Sequence, residues 1–435
     1  MEIHRSVPKV YGETYAKIPR GETRDPIKIL ESSFGRIKVL PVKTPPRFIG
    51  GAVGYLSYDI IRSYLPNLEE KATSFPMPDA AFLYTKDVIV FDHFTQELGI
   101  ICCALGESAK EVKDDTPAAE DRIKEIEEIV LSSERASVSF SEPTKLEYTN
   151  DTTQDEYLSM VRQSKNHIRE GDIFQVVISK KAIAEARDPF ETYLALKALN
   201  PSPYLYFLEF GDKAIIGSSP EMLVRVAATK VITRPIAGTR KRGTTEFQDQ
   251  RLAEEMLADP KERAEHIMLV DLHRNDLGRV CRYGSVTVSE FMQVVRYSHV
   301  QHIVTTVEGT LDTNYTPFDA LKSLFPAGTV SGAPKVRAME IINALEIQRR
   351  EAYAGAVGYF SLDGNLDFAI TIRTIVQNLS KAYVQTGAGI VADSVPENEW
   401  LESENKASAM LQALSMGVKE FIYILVIDNI DIFVY

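Results

Sequence analysis

A chain of 435 residues, 44% hydrophobic and 25% charged, has material for one large fold or two intimate domains and the composition of a soluble globular protein. Its formal net charge of -12 argues against nucleic acid and anionic membranes as partners, because both would repel it. Three cysteines, two of them adjacent at Cys102 and Cys103, give neither a disulfide framework nor a metal-type spacing, so a cytoplasmic setting is expected.

Along the chain, Met1 to Arg5 lacks the apolar core of a signal peptide. To about residue 105, short strand-like runs such as Val88–Phe91 alternate with turn signals such as Pro45-Pro46 and Pro76-Met77-Pro78. A charged stretch follows to about Asn150, helical over Asp121–Val130, and reads as a solvated connector without chemistry. From Asp151 the pattern predicts a helix over Glu156–Arg169, then strands over Ile173–Ser179, Tyr204–Phe210, Ala214–Gly217, Met222–Val226 and Val231–Ile236. Helices are predicted over Glu246–Leu257, Lys261–Leu277 and Val336–Ile347, strands over Ala356–Phe360, Phe368–Val376 and Tyr383–Thr386, and a last helix over Glu397–Met416. Strands in close succession favour antiparallel pairing, and runs of strands followed by runs of helices indicate an α+β layered fold. Near the end, Phe421–Val434 is apolar but interrupted by Asp428, Asn429 and Asp431, which does not fit a spanning helix.

Two helices carry carboxylates at helical spacing. Asp259 reads as an N-cap before Pro260, and Glu262 three residues later either closes a capping box or faces a ligand. Glu265 lies on the same face, one turn deeper. In the last helix Glu399, Glu402 and Lys406 share a face, as a solvated charge stripe or as part of a site. Two such helices together suit a hard cation such as Mg²⁺, which takes carboxylates, water and substrate oxygens.

Glycine-containing turns follow several predicted strands, at Pro235–Thr239, Pro326–Lys335 and Gly387-Ala388-Gly389. They permit close backbone approach to a ligand or serve as tight turns, and none is a nucleotide-binding loop. His302 shares a strand face with Val300 and Val304, opposite to His299, and reads as a core histidine or a catalytic one. Arg373, flanked by Ile370, Ile372 and Ile375, is a cation inside an apolar strand and requires an acid, internal or from a substrate.

Together these segments resemble the chorismate-utilising enzymes, and among them component I of anthranilate synthase, from about Ile29 to Val418. The resemblance rests on Gly50–Asp59, Asp172–Val177, Asn200–Tyr204, Gly217–Glu221, Pro235–Thr239, Ala264-Glu265-His266 through Arg274-Asn275-Asp276, Ser331–Lys335 and Asn405-Lys406-Ala407. It implies a sandwich of largely antiparallel sheets flanked by helices. It also implies an enzyme joining ammonia to chorismate to give anthranilate and pyruvate, at the entry to tryptophan biosynthesis. Family members that hydroxylate chorismate carry a lysine where this chain has Gln175, and aminodeoxychorismate synthases carry one where it has Ala237. The resemblance implies Mg²⁺ at Glu265 and Glu402, with Glu262 and Glu399 nearby, facing the ring carboxylate of chorismate. Gly387, Ala388, Gly389 and Lys406 would complete that end, and Arg373 and Tyr353 would hold the enolpyruvyl carboxylate. Glu221 would protonate the leaving hydroxyl, His302 would assist loss of pyruvate, and Gly238 and Thr239 would line the ring.

The same resemblance implies feedback inhibition by tryptophan, through a Leu-Glu-Ser element matched by Leu30, Glu31 and Ser32 and a segment matched by Asn200, Pro203 and Tyr204. Leu205 departs from the usual methionine, and the Arg-Tyr-Ser stretch expected beyond Gly35-Arg36 is missing. Residues 1–147 are expected to carry this regulation and 148–418 the catalysis. The tail, 419–435, resembles the opening strand of a glutamine amidotransferase, the separate partner expected to supply ammonia in a hetero-oligomer. The alternatives are an aminodeoxychorismate synthase component I and a catalytically silent subunit that binds chorismate or tryptophan.

Overall fold

The computed structural model describes residues 1–4, 7–11, 23, 25–34, 37–40, 45–73, 75–132, 138–297, 300–421 and 433–434. Gly35, Arg36, His299 and most of the expected amidotransferase-like tail lie outside the described residues. Two large antiparallel sheets face each other. The larger runs, in spatial order, through 236–241, 300–310, 230–233, 222–227, 366–370, 356–361, 51–56, 80–85, 2–4 and 7–9, with 287–296 also pairing against 300–310. The smaller runs through 332–333, 175–185, 381–390, 374–378, 213–219, 204–210 and 433–434, with 148–150 pairing against 175–185.

Strand alternation makes the layers. Val53, Tyr55 and Tyr359 point inward from the larger sheet and meet Tyr206, Leu208, Ile215 and Tyr383 of the smaller. Their chain neighbours Ala52, Leu56 and Phe360 point outward into a second core with Ile27, Leu30, Val270, Leu277 and Leu321. Beyond the smaller sheet, Ile216, Ile375 and Val384 pack with Tyr193, Leu196, Met410 and Leu414 of helices Pro189–Leu199 and Pro396–Ser415. Side chains buried on both sheet faces explain why these strands read as nearly continuous apolar runs. This is the expected α+β layered sandwich.

Helix ends follow their capping residues. Thr153 and Glu156 form a capping box before Gln154–Arg169, and Asp259 accepts from the N–H groups of Lys261 and Glu262 before Pro260–Gly278. The connector is a helix over Ala109–Ser132 with only Ile126 buried, as its charge predicts. No helix among the described residues is long and apolar enough to cross a membrane.

Two predicted strands need correction. The strand predicted over Phe368–Val376 is two strands, Leu366–Ile370 and Thr374–Asn378, in different sheets. Arg373 sits in the crossing between them, at a φ of 52°. Val231–Ile236 is likewise broken, between Lys230–Thr233 and Ile236–Lys241, where Pro235 cannot donate to a ladder. A boundary at 147/148 divides the chain but not the core, because Gly51–Leu56 pairs with Ala356–Ser361 in the larger sheet.

Candidate active site

Where the two sheets diverge, strand ends and two helices bring together the residues singled out above. Glu221 follows Lys213–Ser219 and Pro220 and is buried. Burial pushes its carboxyl up to about 8, although the Thr329 hydroxyl, the Ile236 N–H and the Lys406 charge all oppose the shift. Thr329 Oγ1 donates to Glu221 Oε1 at 2.8 Å. A carboxyl so placed keeps its proton at neutral pH and can donate it.

His302 lies on Val300–Thr310, and its Nδ1 is 2.8 Å from the Gly238 carbonyl and 3.1 Å from Thr239 Oγ1. A carbonyl only accepts, so in the neutral ring the proton is on Nδ1 and Nε2 is left as the base. Burial lowers the imidazole pKa, the Gly238 bond opposes this, and Arg373 and Lys406 lower it further. The Tyr297 ring packs edge-on against it at 5.6 Å. Gly238 adopts a φ of 67°, and a Cβ there would come within 3.3 Å of Glu262, Ile303 and Met256, so this turn requires glycine.

Arg373 is largely enclosed, and burial lowers its pKa against the pull of Glu402 and Tyr353. Its Nη1 donates to the Lys406 carbonyl at 3.0 Å, and among the described residues no carboxylate lies within ion-pair distance of it. The left-handed backbone of a non-glycine residue here costs of order 1 kcal/mol, the kind of strain held at functional sites. Lys406 Nζ donates to the Gly387 carbonyl at 3.0 Å and pairs with Glu402 at 2.7 Å.

Gly387 and Gly389 face Ser179 and Val177 in the ladder. Ser179 and Val177 send their N–H groups to Glu346 and to the Ser331 carbonyl instead. The N–H groups of Gly387 and Gly389 therefore turn toward the Lys406 side. Ala388, between them, is buried and turned to the other side. The Tyr353 hydroxyl lies so near Gly387 that a Cβ there would come within 3.0 Å of it.

The four glutamates lie on the two facing helices. Burial raises the pKa of Glu265, and the neighbouring Glu262 and Glu402 charges add to it. Burial also raises Glu399, with Glu402 adding to it. Each glutamate has a polar partner: Glu262 takes Arg240 at 2.9 Å, Glu265 takes Gln175 at 3.4 Å, Glu402 takes Lys406 and Glu399 takes Ser394. The capping box considered for Glu262 does not form, because Arg240 holds its side chain. Among the described residues, three ligand-type atoms within 4.8 Å of one another occur at His167, Glu170 and Asp172. That trio is an ion-pair network in which Asp172 is held by His167 and Arg337. The Glu262 and Glu402 charges both act on Glu265, and carboxylate oxygens are the donors Mg²⁺ takes. In donor type the residues suit the ion, although no three of their ligand atoms lie within 4.8 Å of one another.

The model of the chorismate binding enzyme family matches residues 12–412. The chain belongs to this family. Within it, the chain is 49% identical over 399 residues to anthranilate synthase component 1 of Acetivibrio thermocellus, covering 90% of this chain and 80% of that protein. Aminodeoxychorismate synthase component 1 of Bacillus subtilis is 42% identical over 400 residues, covering 91% and 83%. The crystal structure of anthranilate synthase component I from Streptococcus pneumoniae matches with a TM-score of 0.79 at 39% identity, over 89% of this chain and 86% of that one. The chain is an enzyme of the anthranilate synthase component 1 kind.

The residues of the expected inhibitor site fall in different cores, Leu30 in one and Tyr204 in another. Leu30, Glu31 and Ser32 lie in the helix Pro26–Phe34, whose Phe34 packs on Phe360 outside the larger sheet. Glu31 accepts from Thr316, and Ser32 donates to its own helix. Tyr204 instead lies between the sheets, donating to Asp367 beside Arg225. Asn200, Pro203, Tyr204 and Leu205 are thus not brought together with Glu31 and Ser32. The cavity lined by Tyr204, Leu205, Tyr359 and Asp367 has about 20 Å³ for a water-sized occupant, room for one water.

Sequence reasoning passed over Thr329, although it quoted the turn containing it, and Arg240, whose partners come from another element. It also passed over Arg350, which the i, i+4 spacing from Glu346 signals.

Proposed function

We propose that this chain carries out the chorismate-consuming half of anthranilate synthesis, in the cytoplasm, with ammonia as nucleophile. The observation that carries this reading is Glu221, a buried carboxyl held up to about 8, gathered with Lys406 and, through His302, with Arg373, cations that suit a small diacid. Glu221 gives its proton to the departing 4-hydroxyl, which leaves as water while ammonia adds at C2. With Gln175 and Ala237 where related enzymes place lysines, no side-chain amine competes at the ring. Nε2 of His302 then removes the C2 proton as the enolpyruvyl group departs, later to become pyruvate, and the ring becomes aromatic. Thr239 holds His302 and borders the ring.

Arg373, with the Tyr353 hydroxyl, holds the enolpyruvyl carboxylate in bidentate fashion. Lys406 and the N–H groups of Gly387 and Gly389 line the ring-carboxylate end. Glu265 and Glu402, with Glu262 and Glu399 beside them, would hold Mg²⁺, which would supply charge neutralisation and orientation of that carboxylate. A separate glutamine amidotransferase chain supplies ammonia, and residues 419–435 are its nearest counterpart in this sequence. Residues 148–418 carry the catalysis. Tryptophan regulation is assigned to the wall formed by Asn200, Pro203, Tyr204 and Leu205 with residues 1–147, without Glu31 and Ser32. It requires that wall to open, and the check is whether tryptophan slows anthranilate formation.

The Bacillus subtilis relative supports a second reading, aminodeoxychorismate synthesis. Incubating the chain with chorismate, Mg²⁺ and ammonium separates the two. Fluorescent anthranilate with one pyruvate each supports the first. A non-fluorescent amino product that retains its enolpyruvyl group supports the second. Binding without turnover overturns both.

A further inference from the structure

Arg350 is assigned no contact with substrate, yet it is 1% exposed and among the largest fully buried side chains. Its guanidinium spends its donors on several parts of the fold. Nε and Nη2 make a bidentate pair with Glu346 at 2.8 and 2.6 Å. Nη2 also donates to the Val177 carbonyl at 2.7 Å, and Nη1 donates to the Val330 carbonyl at 2.8 Å. Glu346 in turn accepts from the Ser179 N–H and hydroxyl, both at 2.8 Å. The flat face of the guanidinium lies 4.7 Å from the Tyr58 ring centre and 5.5 Å from that of Tyr353.

Apart from Tyr58, these contacts lead to residues of the candidate site. Val330 follows Thr329, whose hydroxyl sits on the Glu221 carboxyl. Val177 and Ser179 lie opposite Gly389 and Gly387. Tyr353 reaches Gly387. Burial alone would lower the guanidinium pKa, but the charge and hydrogen bonds of Glu346, with Tyr58 and Tyr353, together outweigh it and the group stays charged. A buried pair of this kind is costly to desolvate, so an apolar pair of similar volume could serve for stability alone. What an apolar pair cannot do is hold two carbonyls and two aromatic rings in fixed relation.

We propose that Arg350 is a positioning residue for the acid end of the site, fixing together the turn that aims Thr329 at Glu221 and the ring of Tyr353. The inference rests on the reading of Glu221 as the acid. Loss of Arg350 frees the Val330 carbonyl and lets the 327–331 turn drift, so Thr329 leaves Glu221. The Thr329 bond favours the ionised carboxyl, so its loss raises the Glu221 pKa further. The proton then stays on Glu221 to higher pH, and the alkaline fall of kcat/KM moves upward.

The experiment compares pH profiles of kcat/KM for the full chain and for Thr329→Val, Arg350→Lys and Arg350→Gln, with ammonium as nitrogen source. Thr329→Val is expected to move the alkaline limb up by about half a unit. Both Arg350 variants are expected to move it likewise, with kcat/KM down about 10-fold. Combining Thr329→Val with Arg350→Lys is expected to add nothing to the limb shift. Arg350 variants that melt at a lower temperature but keep the parental limb overturn the inference, since a purely structural arginine leaves the acid untouched. An additive double variant also overturns it. Glu221→Gln is the control on the underlying reading. If that variant keeps the same alkaline limb, Glu221 is not the acid and the reading itself fails.

Discussion

Replacing Glu221 by glutamine should cost turnover and add stability. The carboxyl is held near 8 in the folded chain against an ordinary value of 4.5, so at pH 7 folding must return a proton to a group that ionises freely when unfolded. That penalty amounts to about 3 kcal/mol at pH 7 and is absent below the unfolded value. The sign follows from proton counts. Between 4.5 and 8 the native state binds more protons than the unfolded state, so this group's contribution falls as pH rises. Glutamine has no proton to exchange and can still accept from Thr329. Thermal melts of Glu221→Gln and the parent should therefore nearly coincide at pH 4.5 and separate toward pH 8, with the variant the more stable. Anthranilate fluorescence should show kcat lower by about 10²- to 10⁴-fold, the usual worth of a general acid. A variant with kcat within threefold of the parent, or a stability gap that does not change with pH, would refute the reasoning.

Further outcomes follow from the same geometry. Because His302 is lowered from its ordinary 6.5 and acts as a neutral base, the acid limb of kcat should lie below pH 6.5. In His302→Asn the amino intermediate should accumulate, as followed by chromatography. Gly387→Ala should damage activity more than Gly389→Ala, measured as kcat/KM. A Cβ at 387 meets the Ile178 carbonyl at 2.5 Å, whereas one at 389 meets only the mobile end of Gln175. Asp367→Ala strips the acid from Arg225, 2.6 Å away in the buried inner core. It should cost about 3 kcal/mol or more in a denaturant titration.

Much of this fold was legible because its signals are local. Thr153 with Glu156, and Asp259 before Pro260, announce helix starts within a few residues. Tyr204–Phe210 was read to its ends because turns bound it. What failed to show was non-local. An apolar run cannot reveal that its two halves join different sheets, so the crossing at Arg373 read as one strand. The match at Leu30-Glu31-Ser32 is three residues long, and nothing that short says which face of a sheet a helix will cover. Glu262 looked able to cap its own helix, since its actual partner, Arg240, arrives from a neighbouring strand. Glu221 and Thr329 are 108 positions apart, beyond the reach of any spacing rule. The candidate acid and base came from the family resemblance and the glutamate helices from their spacing, but their pKa tuning could not be read there, because burial belongs to the assembled layers.

The proposed chemistry needs the glutamates of the two helices to take a divalent cation and a small diacid together. Titration of chorismate into Glu265→Gln/Glu402→Gln, by calorimetry with and without Mg²⁺, tests this most directly. In the parent chain Mg²⁺ should tighten chorismate binding, and in the double variant that dependence should vanish while the fold and the weaker metal-free binding remain. Undiminished dependence on Mg²⁺ in the double variant would contradict it.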